Sequence, residues 1–172
     1  MENKIKTKFT IASEEGIALL QMLGEKRGQE KYAGVFDTSQ LENYLYDKFN
    51  TATVVSNLNT FSNQLIVVYV EDQPAGYAYF SGNGALPEEL KDKRVVHLVD
   101  FELLDQYKES GAREFLMEKC LNVCKSYEAL KVSAALEMVA FYEQYGFQQG
   151  EREEISIAGV TFPSVTLIRI NP

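Results

Sequence analysis

The pattern of hydrophobic and polar residues divides the first sixty positions into one strand and a set of helices. Alternation from Lys4 to Ile11 predicts the strand. Ser13 is followed by two glutamates, which is typical of a capped helix start. The run Ser39-Gln40-Leu41-Glu42 has the spacing of a capping box and predicts a second helix. Residues 51–58 are consistent with one or two further helical turns.

The middle of the chain predicts a strand meander. The continuous apolar run Leu65–Val70 indicates a buried strand, and Asp72-Gln73-Pro74 supplies turn chemistry after it. Residues 75–80 form its antiparallel partner. A polar loop over residues 81–94 then leads to a strand over residues 95–104.

The last seventy residues predict a strand–helix–strand unit followed by a hairpin. Their elements are a loop over 105–112, a helix over 113–127, a strand over 130–135, a short helix over 136–145, and two strands over 148–157 and 160–170. We therefore expect one α/β (α+β) domain over residues 1–172. Its mixed, mostly antiparallel sheet has about seven strands, flanked by about four helices, with a parallel crossover between the fourth and fifth strands.

Two segments in this unit carry candidate chemistry. The first, Ala140–Phe147, places the phenol of Tyr142 on a short helix that Gly146 ends in a left-handed conformation. The alternative is that its aromatic residues only pack in the core. The second is the loop over residues 106–113, which enters a helix whose free N–H groups and positive dipole end can bind an anion. Its alternative is a simple helix-entry turn.

Composition narrows the classes of function. The chain has 172 residues, is 45% hydrophobic and carries a net charge of −8. That charge argues against nucleic acid binding and is compatible with a cationic substrate. Cys120 and Cys124 lie on one helix face as buried thiols, and the chain contains one histidine, so we expect no metal site. No apolar run has the length of a membrane helix and the first residues lack a signal-peptide core, so we expect a cytoplasmic protein without membrane partners.

The chain resembles the GNAT superfamily of acyl-CoA-dependent N-acetyltransferases. The likeness covers nearly the whole chain and lies in the strand from Val95, in Tyr107, Gly111 and Leu116, and in the segment Ala140–Phe147. The runs over residues 32–36, 41–45 and 70–77 are similar to the branch that contains bacterial spermidine/spermine acetyltransferases. This resemblance implies a sheet that splays apart between its fourth and fifth strands.

The resemblance also implies acetyl-CoA as co-substrate. Its pyrophosphate would lie on the loop formed by Lys108, Glu109, Ser110, Gly111, Ala112 and Arg113. Its pantetheine would pair with the backbone of Phe101 and Leu103. Tyr142 matches the family tyrosine that protonates the leaving thiolate, and Ala135 occupies the place of an asparagine that often helps to hold the cofactor.

A base must remove a proton from the substrate ammonium. Asp100 and Glu102 share a strand face by the period of two and are our catalytic candidates, with Glu71 and His97 as further ones. The resemblance places the acceptor pocket at the first helices and the loop over residues 81–94. Tyr32, Tyr44 and Tyr77 are the substrate-binding candidates there. The predicted reaction is acetylation of a small-molecule amine or polyamine.

Five positions depart from the family pattern. In the pyrophosphate loop only Gly111 matches, because Lys108 replaces the first residue of the signature, Glu109 brings a negative charge and Arg113 brings bulk. Ala135 replaces the asparagine, and Leu136 replaces a proline. These departures leave an alternative open, in which the GNAT fold has weakened or lost acetyl-CoA turnover and serves as a binding or regulatory module. The long final strands also leave pairing across a homodimer open.

Overall fold

A computed structural model describes residues 3–172. Its strands are β1 Ile5–Thr10, β2 Gln64–Val70, β3 Gln73–Ser81, β4 Val95–Leu103, β5 Ala129–Ala135, β6 Gln148–Ile157 and β7 Val160–Ile170. Its α-helices are α1 Glu14–Tyr32, α2 Thr38–Phe49, α3 Thr51–Asn59, α4 Ala112–Val123 and α5 Val139–Glu143. Short 3₁₀ turns cover Glu88–Leu90, Asp105–Tyr107 and Leu136–Met138. Among residues 3–172, no helix combines the length and apolarity needed to cross a membrane.

The seven strands form one sheet in the order β1-β2-β3-β4-β5-β7-β6. Every neighbouring pair is antiparallel except β4 and β5. The parallel pairing of β4 with β5 ends at Leu98 and Val132, although both strands continue. The predicted mixed sheet, splayed between its fourth and fifth strands, is therefore confirmed.

A bulge at Val99 sets which side chains of β4 face which side of the sheet. Tyr79 of β3 is opposite Asp100, whereas its neighbour Phe80 is opposite Leu98, so Val99 is the extra residue. Leu98 and Phe101 consequently share one face although they are three residues apart. The bulge thereby sends the side chains of Asp100 and Glu102 to the opposite face, where α1 and α2 lie.

Two apolar cores cover the two faces of the sheet. On one face α4 buries Leu116 and Met117 completely, together with Tyr142 of α5. Full burial of one such aliphatic side chain contributes about 1.5–3 kcal/mol. On the other face α1 and α2 are in close contact at Gly24, where an added Cβ would lie only 2.2 Å from the ring of Phe49. The helices can approach this closely because the position carries no side chain.

Several predicted boundaries shift. The second helix is capped by Asp37, with Gln40 completing the capping box, so the predicted box over residues 39–42 is wrong by two positions. Asp37 and Ser39 both carry a side-chain oxygen that can cap a helix. Asp37 has the extended backbone that an N-cap residue requires, whereas Ser39 already lies inside the helix. The turn after β2 lies at Glu71 and Asp72, both with positive φ, and not at residues 72–74. The predicted helix after Gly111 ends at Val123, four residues before Tyr127.

Candidate functional site

The opening between β4 and β5 exposes backbone hydrogen-bonding groups. Leu104 donates its N–H to the carbonyl of Ala75 in β3, at 2.8 Å. Since backbone groups alternate along a strand, Glu102 also turns its backbone toward β3, whereas Phe101 and Leu103 turn theirs toward β5. Strand β5 no longer pairs with β4 at this level. The backbone of Phe101 and Leu103 is thus available to an extended ligand, as the family resemblance implies.

Tyr142 lies at this opening. Its ring is 4% exposed and packs edge-on against Phe101, Phe141 and Phe147, with centroid distances of 6.2, 5.6 and 5.4 Å. Burial raises the pKa of Tyr142, and the negative charge of Glu102 raises it further. The phenol therefore stays protonated at neutral pH. Among residues 3–172 this hydroxyl is not one of the fully enclosed polar atoms that lack a hydrogen-bond partner.

The loop before α4 presents several free N–H groups. Gly111 has a φ of +85°, a left-handed conformation that glycine adopts readily, and caps the helix. Ser110 accepts from the N–H of Ala112 at 3.1 Å. Within residues 3–172, the N–H groups of Glu109, Gly111 and Arg113 make no hydrogen bond. This N-terminus of a 12-residue helix fits an anionic group such as pyrophosphate.

Four of the departures from the family pattern occupy different environments. Glu109 is exposed, so water and salt screen its charge and weaken its repulsion of an anion at the loop. Arg113 lies over the ring of Phe141 at 5.8 Å, which draws its bulk away from the loop backbone. Ala135 ends β5 at the opening but offers only a methyl group, and Leu136 is 42% exposed. The loop therefore keeps its free amides, while Ala135 can supply no side-chain hydrogen bond.

Both candidate bases form ion pairs with helices α1 and α2. Glu102 accepts from Arg27 Nε at 3.0 Å through Oε2 and from Lys31 Nζ at 2.6 Å through Oε1. Asp100 accepts from Lys48 Nζ at 2.9 Å through Oδ1 alone. Asp100 thus retains one oxygen without a partner among the described residues, whereas both oxygens of Glu102 are used.

These ion pairs keep the lysines charged. Burial alone would lower the pKa of Lys48, but the charge of Asp100 raises it above the ordinary lysine value. At Lys31, burial likewise lowers the pKa and the charge of Glu102 raises it. The net effect is again a raised lysine pKa. On this face of the sheet, both ammonium groups are cations at any physiological pH.

A narrow cleft joins these charges to the predicted substrate-binding tyrosines. Tyr32 and Tyr77 both line it, as does Tyr44. The other lining residues are Gly24, Arg27, Gly28, Lys31, Leu45, Lys48, Phe49 and Glu102. The free volume is about 20 Å³, room for about one water molecule. An amine acceptor larger than a water molecule therefore needs more room than this cleft offers.

The two further base candidates lie away from the opening. Glu71 sits in the turn after β2 and accepts from the N–H of Lys4 at 2.7 Å. His97 lies in the half of β4 that is paired with β5, and its ring packs against Gly84. Burial and the charge of Lys131 lower the pKa of His97. The structure thus gathers Asp100, Glu102 and Tyr142 around the opening and leaves Glu71 and His97 outside it.

Sequence reasoning missed the cations of this site. Arg27 and Lys31 are four residues apart on α1, so they share a face with each other and with the buried Gly24 and Gly28. Charged residues on a helix face that also carries buried glycines were the available signal. Their partners lie more than seventy residues away on β4, so the pairing itself could not be deduced from local pattern.

Several solved structures share the fold of this chain. The chain is similar to the PaiA N-acetyltransferase of Thermoplasma acidophilum in complex with coenzyme A, at 11% identity and a TM-score of 0.70, with 97% of this chain and 99% of that chain covered. A GNAT acetyltransferase of Streptococcus pneumoniae gives 12% identity, a TM-score of 0.71, and coverage of 98% and 100%. An N-acetyltransferase of Staphylococcus aureus gives 15%, 0.69, and 97% of each chain. At such identities the similarity establishes the fold alone.

Sequence comparison establishes the family. No protein of curated function matches this chain in sequence. The sequence profile of the acetyltransferase (GNAT) domain matches residues 26–167, which is most of the chain. That range includes β4, the loop around Gly111 and α5, and proteins of this family use acetyl-CoA. The chain therefore belongs to the acetyltransferase (GNAT) domain family.

Proposed function

We propose that this protein is an acetyl-CoA-dependent N-acetyltransferase that acetylates a primary amine, either a small amine or a polyamine. The observation that carries the proposal is the opening between β4 and β5, where free backbone groups and the protonated phenol of Tyr142 converge. Acetyl-CoA supplies the acyl group as an activated thioester. The acceptor amine would attack it directly.

The two sides of β4 have separate roles in this proposal. On the side of α4, Phe101 and Leu103 would hold the pantetheine through their backbone, and the free N–H groups beside Gly111 would bind the pyrophosphate. On the side of α1, Tyr32 and Tyr77 would line the acceptor pocket. The amine would reach the opening past Asp100, whose ion-pair partner Lys48 lines that pocket.

Tyr142 would act as general acid and Asp100 as the proton acceptor. A phenol that donates a proton to the leaving thiolate increases the reaction rate by about 10²–10⁴-fold. Asp100 suits proton removal better than Glu102, because one Asp100 oxygen is free of ion pairing while both Glu102 oxygens hold cations. Glu102 would then position Arg27 and Lys31.

The alternative is a GNAT-fold protein with weakened or lost turnover that serves as a binding or regulatory module. Ala135, which offers no hydrogen bond, and the ion pairing of both carboxylates favour it. Only the first proposal includes acetyl transfer. Both include acetyl-CoA binding, unless the loop before α4 no longer binds the pyrophosphate.

One pair of measurements tests the proposal. The melting temperature with millimolar acetyl-CoA should rise, because a ligand bound only by the folded state stabilises it. Release of free thiol should then appear when a panel of primary amines is added. Absence of both a thermal shift and thiol release would reject the enzyme proposal. A shift without thiol release for any amine would favour the binding module.

A further inference from the structure

The ion pairs beside β4 leave several hydrogen-bond donors of their cations unused. Lys48 and Lys31 each use one of three N–H groups, toward Asp100 and Glu102 respectively. Arg27 binds Glu102 through Nε and Asp105 through Nη1, and its Nη2 has no partner among residues 3–172. Three cations, three tyrosines and the carboxylate of Glu102 thus line this cleft. Glu30, Asp100 and Asp105 pair with the same cations without lining it.

We propose that the acceptor is a primary amine that carries an anionic group, a carboxylate or a phosphate, within two or three bonds of the amine. Lys48 and Lys31 bind that group through their unused N–H donors. This inference rests on the proposed acetyltransferase function and names the class of its acceptor. It follows from the N–H donors of Lys31 and Lys48 that the ion pairs leave unused, and the net charge of −8 of the whole chain does not predict it.

The geometry of one ion pair gives the reason for the short spacing. Lys48 Nζ and Asp100 Oδ1 lie 2.9 Å apart, and the second oxygen of Asp100 is unpaired. A ligand with adjacent positive and negative groups matches this pair in reversed polarity, with its ammonium on Asp100 and its anion on Lys48. Both groups of the ligand gain charge-assisted hydrogen bonds in a partly buried site.

A polyamine lacks this match. The carboxylates around the cleft are each already paired with Arg27, Lys31 or Lys48, so each ammonium group of a polyamine would have to share a carboxylate with one of these cations. Asp100 offers one free oxygen, and Glu102 offers none. The site therefore favours one ammonium with an accompanying anion over several ammonium groups.

Binding to matched ligand pairs tests the inference independently of turnover. Calorimetric titrations would use the protein with coenzyme A present, which cannot donate an acetyl group. The pairs are histidine with histamine, tyrosine with tyramine, lysine with cadaverine, and phosphoethanolamine with ethanolamine. We expect at least one anionic member to bind about tenfold or more tightly than its partner amine. The first three pairs report on a carboxylate and the fourth reports on a phosphate. Equal affinity, preference for the plain amine, or no binding in every pair would overturn the inference.

Cleft variants then assign the preference to named residues. Lys31→Met leaves Glu102 paired with Arg27, and the double variant Lys48→Met with Asp100→Asn removes a whole ion pair without stranding a charge. Each should reduce the preference for the anionic member to within about twofold. Lys26→Met, on the exposed side of α1, is the control and should leave it unchanged. A preference that survives in both cleft variants would overturn the assignment.

A parallel turnover assay separates this inference from the proposed function. Acetyl transfer to no member of any pair, together with a binding preference that the cleft variants abolish, would reject the enzyme and keep the anion site. Acetyl transfer with a preference for plain amines would keep the enzyme and reject the anion site. Circular dichroism of each variant confirms that the fold is retained before either result is interpreted.

Discussion

The ring of Tyr142 stands at 62° to the ring of Phe101, with 6.2 Å between the two centroids. This contact holds the phenol of a helix residue against the strand whose backbone faces the opening between β4 and β5. Phe141 packs on both rings, at 5.7 Å from Phe101 and 5.6 Å from Tyr142. The orientation of the phenol is therefore fixed by three mutually packed aromatic rings, and its hydroxyl is the one polar atom they carry.

Replacing Tyr142 by phenylalanine should lower kcat by about 10²–10⁴-fold, because it removes a general acid while keeping the ring contacts. The dissociation constant for acetyl-CoA should change less than about threefold. Steady-state kinetics and calorimetry measure the two quantities. Tyr145→Phe is the control, since that ring also packs on Phe141, at 5.2 Å, but is only half-buried and follows the end of α5. An unchanged kcat in Tyr142→Phe would remove this residue from the mechanism.

The pH profile should show no loss of the acid below about pH 10. Burial raises the pKa of Tyr142 above the ordinary tyrosine value of 10.0, so the phenol keeps its proton through neutral and mildly alkaline pH. The rate should rise with pH as the acceptor amine loses its proton and should then level off. Measuring kcat/KM from pH 6 to 10 tests this. A fall in rate between pH 8 and 9 that disappears in Tyr142→Phe would contradict the raised pKa.

The positions of the strands and the parallel crossover were within reach of the sequence, since periodicity, apolar runs or turn residues mark them. The order of the last two strands in the sheet was not predicted. The splay was expected only through the family resemblance. The bulge at Val99 could not be predicted, because nothing in the alternation of Val95–Leu103 marks one extra residue. Without the bulge, Asp100 and Glu102 would face the core under α4. Their cations on α1 and α2 stayed unnoticed for the same reason, since such pairing depends on tertiary geometry.

Removing the negative charge from the loop before α4 should strengthen acetyl-CoA binding. Glu109 lies two residues before the helix cap Gly111, where a carboxylate repels a bound pyrophosphate. Glu109→Gln should tighten the dissociation constant by about two- to fivefold at low salt, and the gain should shrink at 0.5 M salt. Glu118→Gln, on the exposed face of α4 two turns further along, should have no effect. Equal gains in both variants would indicate a general charge effect.

The close approach of α1 and α2 should make Gly24 sensitive to a single methyl group. A Cβ there would lie 2.2 Å from the buried ring of Phe49, so Gly24→Ala forces the helices apart or moves the ring. We expect a loss of about 1–3 kcal/mol in the free energy of unfolding, even though alanine favours a helix. Gln29→Ala, exposed on the same helix, should be nearly neutral. Urea denaturation measures both, and equal stability of the two variants would contradict the tight helix contact.

The ion pair of Lys48 and Asp100 should couple strongly in a double-mutant cycle. Its side chains are 35% and 16% exposed, so either single change leaves a partly buried charge without its partner. Lys48→Met or Asp100→Asn alone should cost about 1–3 kcal/mol of unfolding free energy, less than for a fully buried pair. The double variant should cost less than the sum of the two, with a coupling energy of about 0.5–3 kcal/mol.

The pair of Lys6 and Asp72 provides the reference for this cycle. Those side chains are 37% and 60% exposed, and Lys6→Met should cost about 0–1 kcal/mol. If Lys48→Met costs no more than Lys6→Met, Asp100 is as well solvated as a surface carboxylate. Asp100 could then accept a proton without help from the pocket, and Lys48 would be a surface charge with no part in fixing its orientation.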